Sequence, residues 1–285
     1  MNEYFNEIMS LNDADEIKSV VKRWNILSEN MKIKPANKPI ILPNMLWVAK
    51  SGVGRTSLLR VLSNYLYEQG NLMDFYGEVK FFEFMLGYCK PGEVFTELQR
   101  LTGEIRKAAG FRNEFRGIIH IDINEWLYHL DDHNFSSFME YLSSNSDNWL
   151  IVLSAYSKNK DEIKKLKAVV SMYLRIEALT IELPKTESLV SFVETELEDY
   201  GLRLDSDAKE ILRTSIEKLR ENKYFDGYKT LKMLCQDIVY DYFSDCEVQC
   251  DLLTAKELVD FSADSEYIEK MIYKIEQTRK IGFVQ

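Results

Sequence analysis

The stretch Trp47-Val48-Ala49-Lys50-Ser51-Gly52-Val53-Gly54-Arg55-Thr56-Ser57-Leu58-Leu59 constrains the fold more than any other part of the chain. An apolar strand runs into a glycine-bearing turn, and the turn into a helix whose buried face is Leu58, Leu59, Val61, Leu62, Tyr65 and Leu66. Strand, glycine turn and helix in that order make the frame of a P-loop. There, backbone N–H groups cradle phosphates, a lysine reaches the outer phosphates and a Ser/Thr hydroxyl holds Mg²⁺. Ser51, Gly52, Val53, Gly54, Arg55, Thr56 and Ser57 are therefore the nucleotide-binding candidates, with Thr56 in the magnesium position. Two residues depart from the pattern: Ala49 replaces the first glycine and Arg55 replaces the lysine. A guanidinium is a planar donor fork, whereas the P-loop lysine acts as a compact point charge, so the exchange leaves binding open and weighs against hydrolysis. The alternative is an ordinary strand-turn-helix whose glycines serve the turn alone.

The flanking chain supplies the rest of a sheet. Residues 3–30 are helix-prone, with Ile8, Met9, Ile17, Val20, Val21 and Trp24 at buried spacing and a capping signal in Asn12-Asp13-Ala14-Asp15-Glu16. A loop punctuated by Pro35, Pro39 and Pro43 leads to Met45-Leu46-Trp47-Val48, the strand feeding the glycine turn. Further strands are expected at Glu78-Val79-Lys80-Phe81-Phe82-Glu83-Phe84, Gly117-Ile118-Ile119-His120-Ile121-Asp122, Trp149-Leu150-Ile151-Val152-Leu153-Ser154 and Leu179-Thr180-Ile181-Glu182-Leu183-Pro184. Helices are expected between them over 92–109 (Val94, Leu98, Leu101 and Ile105 on one face), 134–145 and 160–174. This alternation predicts an α/β domain, a P-loop parallel sheet with helices on both faces and ligands at the strand carboxyl ends. Beyond Pro184 helices over 186–200, 205–221 and 228–243, then a helical segment from Thr254, predict a small all-α domain. The expected division is 1–30, an N-terminal linker helix; 31–184, the P-loop α/β domain; and 185–285, the all-α domain with its C-terminal helix.

Asp122 closes an apolar strand downstream of the glycine turn, as a Walker-B aspartate does, and is a catalytic and metal candidate that would hold Mg²⁺ with Thr56. The alternative role is to cap Asn124-Glu125-Trp126-Leu127. A net charge of −10 and a pI near 5.0 oppose nucleic acid as a partner. The N-terminus lacks a positive region followed by an apolar core, and no apolar run approaches a membrane span, so the expectation is a cytoplasmic protein without a membrane partner. Cys89, Cys235, Cys246 and Cys250 form no paired framework and read as reduced thiols, against a metal clip with His120, His129 or His133.

The order of these motifs resembles the AAA+ ATPases, a P-loop domain followed directly by a small helical lid. Tyr224-Phe225-Asp226-Gly227-Tyr228-Lys229-Thr230-Leu231-Lys232 resembles the lid motif Phe-x-Asn-Ala-Arg-x-x-Arg of the branch that includes red-type rubisco activases and the sporulation stage V protein K. The resemblance puts Lys229 at the sensor-2 position, reaching for the terminal phosphate. Leu153-Ser154-Ala155-Tyr156 resembles that branch's Leu-Ala-Gly-Tyr after the sensor-1 strand, which makes Ser154 a nucleotide-binding candidate, and Lys280-Ile281-Gly282-Phe283 resembles its tail. The family's Asp-Glu pair is here Asp122-Ile123, so the glutamate that polarises water is missing; Glu125 either substitutes for it or serves a helix start. Arg175 matches an arginine that reaches a neighbouring subunit's nucleotide, or is an exposed salt-bridge residue. Tyr88 stands in the pore-loop segment, as a substrate-gripping aromatic or a surface turn residue.

The resemblance implies ATP or ADP with Mg²⁺ as cofactors, and protein clients or AAA+ partner subunits in a ring of like or unlike chains. With Arg55 and Ile123 in place, it implies a degenerate member that binds ATP weakly, hydrolyses little or none of it and acts through nucleotide-biased assembly. The alternatives are an active remodelling ATPase using Arg55 and Glu125, and a non-enzymatic scaffold whose Arg55 fills the phosphate space and pairs with Asp122.

Overall fold

The computed structural model describes residues 3–11, 13–34, 40–70, 80–85, 94–109, 117–147, 149–222, 224–244 and 251–281. The chain divides into two compact units: Met1–Lys50 with Arg55–Glu182, and Ser51–Gly54 with Leu183–Gln285. Pro35, Pro39, Tyr88, Cys89, Cys246, Cys250 and all of the expected tail motif except Lys280 and Ile281 lie outside the described residues.

In the first unit β1 (Asn44–Ala49), β2 (Lys80–Met85), β3 (Gly117–Asp122), β4 (Trp149–Ala155) and β5 (Ile176–Ile181) form one parallel sheet in the order β2-β3-β4-β1-β5. The central strands are near-continuous apolar runs, as a parallel sheet covered on both faces demands, and every residue of β4 is buried. Helices α3 (Arg55–Gln69), α4 (Val94–Ala109), α5 (His133–Ser143) and α6 (Lys160–Ser171) make the crossovers. Ile119, Ile121, Ile151 and Leu153 point to one face, where they pack with Leu101 and Ile105 of α4, Phe135 and Leu142 of α5, and Leu166 of α6. Alternation along a strand sends Glu83, His120, Asp122 and Ser154 to the other face, because paired residues of parallel strands point the same way. Local chemistry sets the helix starts: Asp132 accepts the Asn134 N–H at 2.7 Å and Asn159 accepts the Asp161 N–H at 3.0 Å.

Two features of this unit differ from the sequence expectation. The N-terminal helix is two helices, α1 (Glu3–Ser10) and α2 (Asp15–Ile33), separated by a turn in which Asp13 takes φ 53°. Strand β5 starts at Ile176, three residues before the expected 179, because it pairs with β1 along its whole length, Asn44 with Ile176 through Ala49 with Ile181. Helix α2 covers this edge strand: the Glu16 carboxylate accepts the Thr180 N–H at 2.6 Å, and Arg23 pairs with Glu177.

The second unit packs α7 (Thr186–Glu198), α8 (Ser206–Glu221), α9 (Tyr228–Ser244) and α10 (Glu266–Ile281) around Leu189, Val193, Leu212, Ile216, Leu231 and Leu234. It is not purely helical. Arg203–Leu204 (β6) pairs in parallel with Leu252–Leu253 (β7), strands too short to carry a period of two in sequence. The helix expected from Thr254 begins only at Glu266, after a 3₁₀ turn at Val259–Phe261 whose Phe261 carbonyl accepts the buried Ser215 hydroxyl at 2.7 Å. No helix among the described residues is long and apolar enough to cross a membrane.

Phe135 is fully buried and stacks on Trp126, with ring centroids 5.2 Å apart. Phe135→Ala is expected to lower the stability of the first unit by about 3–5 kcal/mol, read from urea unfolding followed by tryptophan fluorescence.

Candidate functional site

At the start of α3, the Nη1 group of Arg55 donates to Asp122 Oδ2 at 2.7 Å and to Ser154 Oγ at 2.6 Å. Both N–H bonds of that nitrogen are thereby used. The pair is largely buried, with 18% and 17% of the two side chains exposed. The other oxygen of Asp122, Oδ1, accepts the Asn124 N–H at 3.0 Å, opening the 3₁₀ turn Asn124–Tyr128. Asp122 thus makes the turn contact and the charge pair at once.

The network continues through two residues that the motif reading did not assign to the site. Ser154 Oγ lies 2.9 Å from His120 Nε2, and His120 Nδ1 lies 3.2 Å from Glu83 Oε1. The second approach is out of line for a hydrogen bond, so it acts as a close electrostatic contact. Glu83 Oε1 also accepts the Thr56 hydroxyl at 3.2 Å. Since Ser154 already accepts from Arg55, its own proton can go to Nε2, which puts the proton of a neutral imidazole on Nδ1, towards Glu83. The His120 ring is the largest influence holding the Glu83 carboxyl below its ordinary value; partial burial opposes it and the Thr56 hydroxyl assists. Arg55 and Thr56 are neighbours on α3, so the side chains close a ring from Thr56 through Glu83, His120 and Ser154 back to Arg55.

Glycine is required in the turn before Arg55. Gly52 and Gly54 have φ of 80° and 85°, and a Cβ on Gly52 would lie 1.7 Å from the Asp226 carbonyl oxygen. The Gly52 carbonyl accepts the Tyr228 N–H at 3.1 Å, inside the second unit. Ser51 is exposed and Val53 buried in this turn; Thr56 and Ser57 are exposed in the first turn of α3.

Of the remaining candidates, Glu125 lies half-buried in the 3₁₀ turn with no hydrogen bond or ion pair among the described residues. The position after Asp122 belongs to Ile123, fully buried, with its N–H on the Ser154 carbonyl at 2.8 Å. Arg175 is exposed just before β5, its backbone carbonyl accepting the Asn44 N–H at 2.9 Å. Lys229 is exposed in the first turn of α9.

Magnesium does not fit this arrangement of Thr56 and Asp122. Both carboxylate oxygens of Asp122 already hold donors, one of them a guanidinium that would repel a second cation. Among the described residues no cluster of three or more His, Cys, Asp or Glu side chains could hold a metal ion.

The five-stranded parallel sheet in this order, followed by a helical C-terminal region, is a fold of the AAA+ type. It is similar to C. elegans PCH-2 at a TM-score of 0.54 and 17% identity, covering 93% of this chain and 69% of that one. It is also similar to the RuvB Holliday junction branch migration motor of Thermotoga maritima, at 0.50 and 12%, covering 98% and 81%. A point mutant of RuvB gives 0.54 and 11%, covering 92% and 77%. At such identities the likeness is one of fold. Neither a protein-family model nor a curated protein sequence matches the chain.

Two outcomes test the network. Asp122→Ala strands the Arg55 charge and is expected to cost roughly 2–4 kcal/mol in urea unfolding, a little under the range for a fully buried pair. Adding Arg55→Met is expected to return most of that loss. Glu83 has a depressed folded value, so its contribution is present in full above the ordinary 4.5 and is lost as pH falls through the depressed value. Stability of wild type relative to Glu83→Gln is therefore expected to shrink steadily as pH falls below the ordinary carboxylate range.

Proposed function

We propose that this chain is a degenerate AAA+-type module that does not turn over ATP and works by docking to partner subunits or protein clients. The observation that carries the reading is the Arg55 side chain, bonded at once to Asp122 and Ser154 where a P-loop lysine would face phosphate. Magnesium nucleotide can occupy such a site only after the guanidinium leaves Asp122, which means breaking a partner for each of two largely buried charges. Weak nucleotide binding then follows from the cost of opening the pair.

The missing acid points the same way. Hydrolysis requires a group that orients or deprotonates water, and the position that would supply it holds buried Ile123. Arg175 and Lys229, both exposed, are the side chains through which an assembly would reach nucleotide or a neighbouring subunit. The motor activity named for RuvB does not carry over with the fold, and the net charge of −10 opposes a nucleic-acid track.

Calorimetry with ATP and Mg²⁺ on wild type and Arg55→Lys, beside a turnover assay, tests the proposal. Wild type is expected to show no turnover and little or no binding at physiological nucleotide, with affinity raised at least ~10-fold in Arg55→Lys. Turnover at the rate of an intact ATPase, lost in Asp122→Asn, would overturn it.

A further inference from the structure

A concave surface lies in the first unit, on the opposite face of the sheet from Arg55. Helices α4 and α5 flank a solvent-open cavity of about 560 Å³, within the size range of small-molecule sites. Its apolar side is made by Leu98, Phe138 and Tyr141, and among the described residues its ionisable side chains besides Tyr141 are Arg106 and His133. Among the described residues no carboxylate lines it, although the chain as a whole carries a net charge of −10.

Three details make this more than a gap between helices. Gly103 sits in the interior of α4 on the cavity wall, where glycine is the poorest helix former after proline. Among the described residues nothing asks for it: a Cβ built there meets no atom within 4 Å. The missing side chain leaves the cavity wall open at that point. Arg106 lies one helical turn further on the same side of α4, held over the Tyr141 ring with 5.4 Å from guanidinium to centroid. The stacked guanidinium also hydrogen-bonds the Tyr141 phenol and has no carboxylate partner among the described residues, so its remaining N–H donors are left for an anion. The nearby acid Asp132 is already used, accepting both the backbone N–H of Asn134 at 2.7 Å and its side-chain amide at 3.0 Å.

We infer that the groove between α4 and α5 binds a small amphipathic anion, a flat apolar body carrying a carboxylate. The apolar body lies on Leu98, Phe138 and Tyr141 against the open side of Gly103, and the carboxylate meets the Arg106 fork. This site shares no residue with the Arg55 network, so it stands whether or not nucleotide binds there.

The test titrates the full chain with 2-naphthoate and with its neutral counterpart 2-naphthamide, by calorimetry and by NMR of the Leu98 methyl groups. Wild type is expected to bind naphthoate at least ~10-fold more tightly than naphthamide. Arg106→Gln is expected to bring the two ligands to equal affinity. Gly103→Leu, which fills the wall with a good helix former, is expected to abolish binding of both without lowering Tm. Equal affinity in wild type, undiminished binding in Gly103→Leu, or no binding of either probe would overturn the inference. Arg55→Lys is expected to leave both affinities unchanged, which separates this site from the nucleotide question.

Discussion

A guanidinium held between a carboxylate and a serine hydroxyl organises the polar face of this sheet. Arg55 comes from the first turn of α3, Asp122 from the end of β3 and Ser154 from β4, so one nitrogen ties a helix to two strands. Asp122 and Ser154 are in register, which puts both acceptors side by side before the arginine arrives. The contact matters because polar groups pointing into a largely buried layer are costly unless each finds a partner. His120 and Glu83 extend the same logic one strand outward, until Thr56 returns the network to α3.

Seen chemically, the region has been made self-sufficient. A phosphate-binding turn ordinarily leaves donors and a cation waiting for an anion. Here the cation has its anion within the chain, the serine has an arginine and a histidine, and the glutamate has a histidine and a threonine. Substituting arginine for lysine does more than change a side chain's size. It replaces a compact ammonium with a planar donor fork, one nitrogen of which is directed at two protein acceptors, Asp122 and Ser154.

Much of the fold was legible in the sequence because its signals are strong and local. The strand-turn-helix around Gly52 and Gly54, the apolar runs of β1, β3 and β4, and the break after Pro184 each depend on neighbours in the chain. The β6–β7 pairing and the late start of α10 were not, since residues some fifty positions apart decide them and neither strand is long enough for a period. The pairing of Arg55 with Asp122 was foreseeable as one alternative among three. His120 and Glu83 were hidden for a different reason: no motif names them. A signal was nevertheless present, because a histidine in Ile119-His120-Ile121 shares its strand face with Asp122, and a buried imidazole must find partners.

The way α2 lies along β5 has a consequence for how copies of this protein can meet. With the Thr180 N–H already taken by Glu16 and Glu177 engaged by Arg23, that margin of the sheet offers an incoming strand a reduced ladder and an acidic, helix-covered approach. Continuous β-structure running from one molecule to the next is therefore disfavoured on that side. Association there must rely on complementary side-chain surfaces, which can be released and remade without unravelling the sheet.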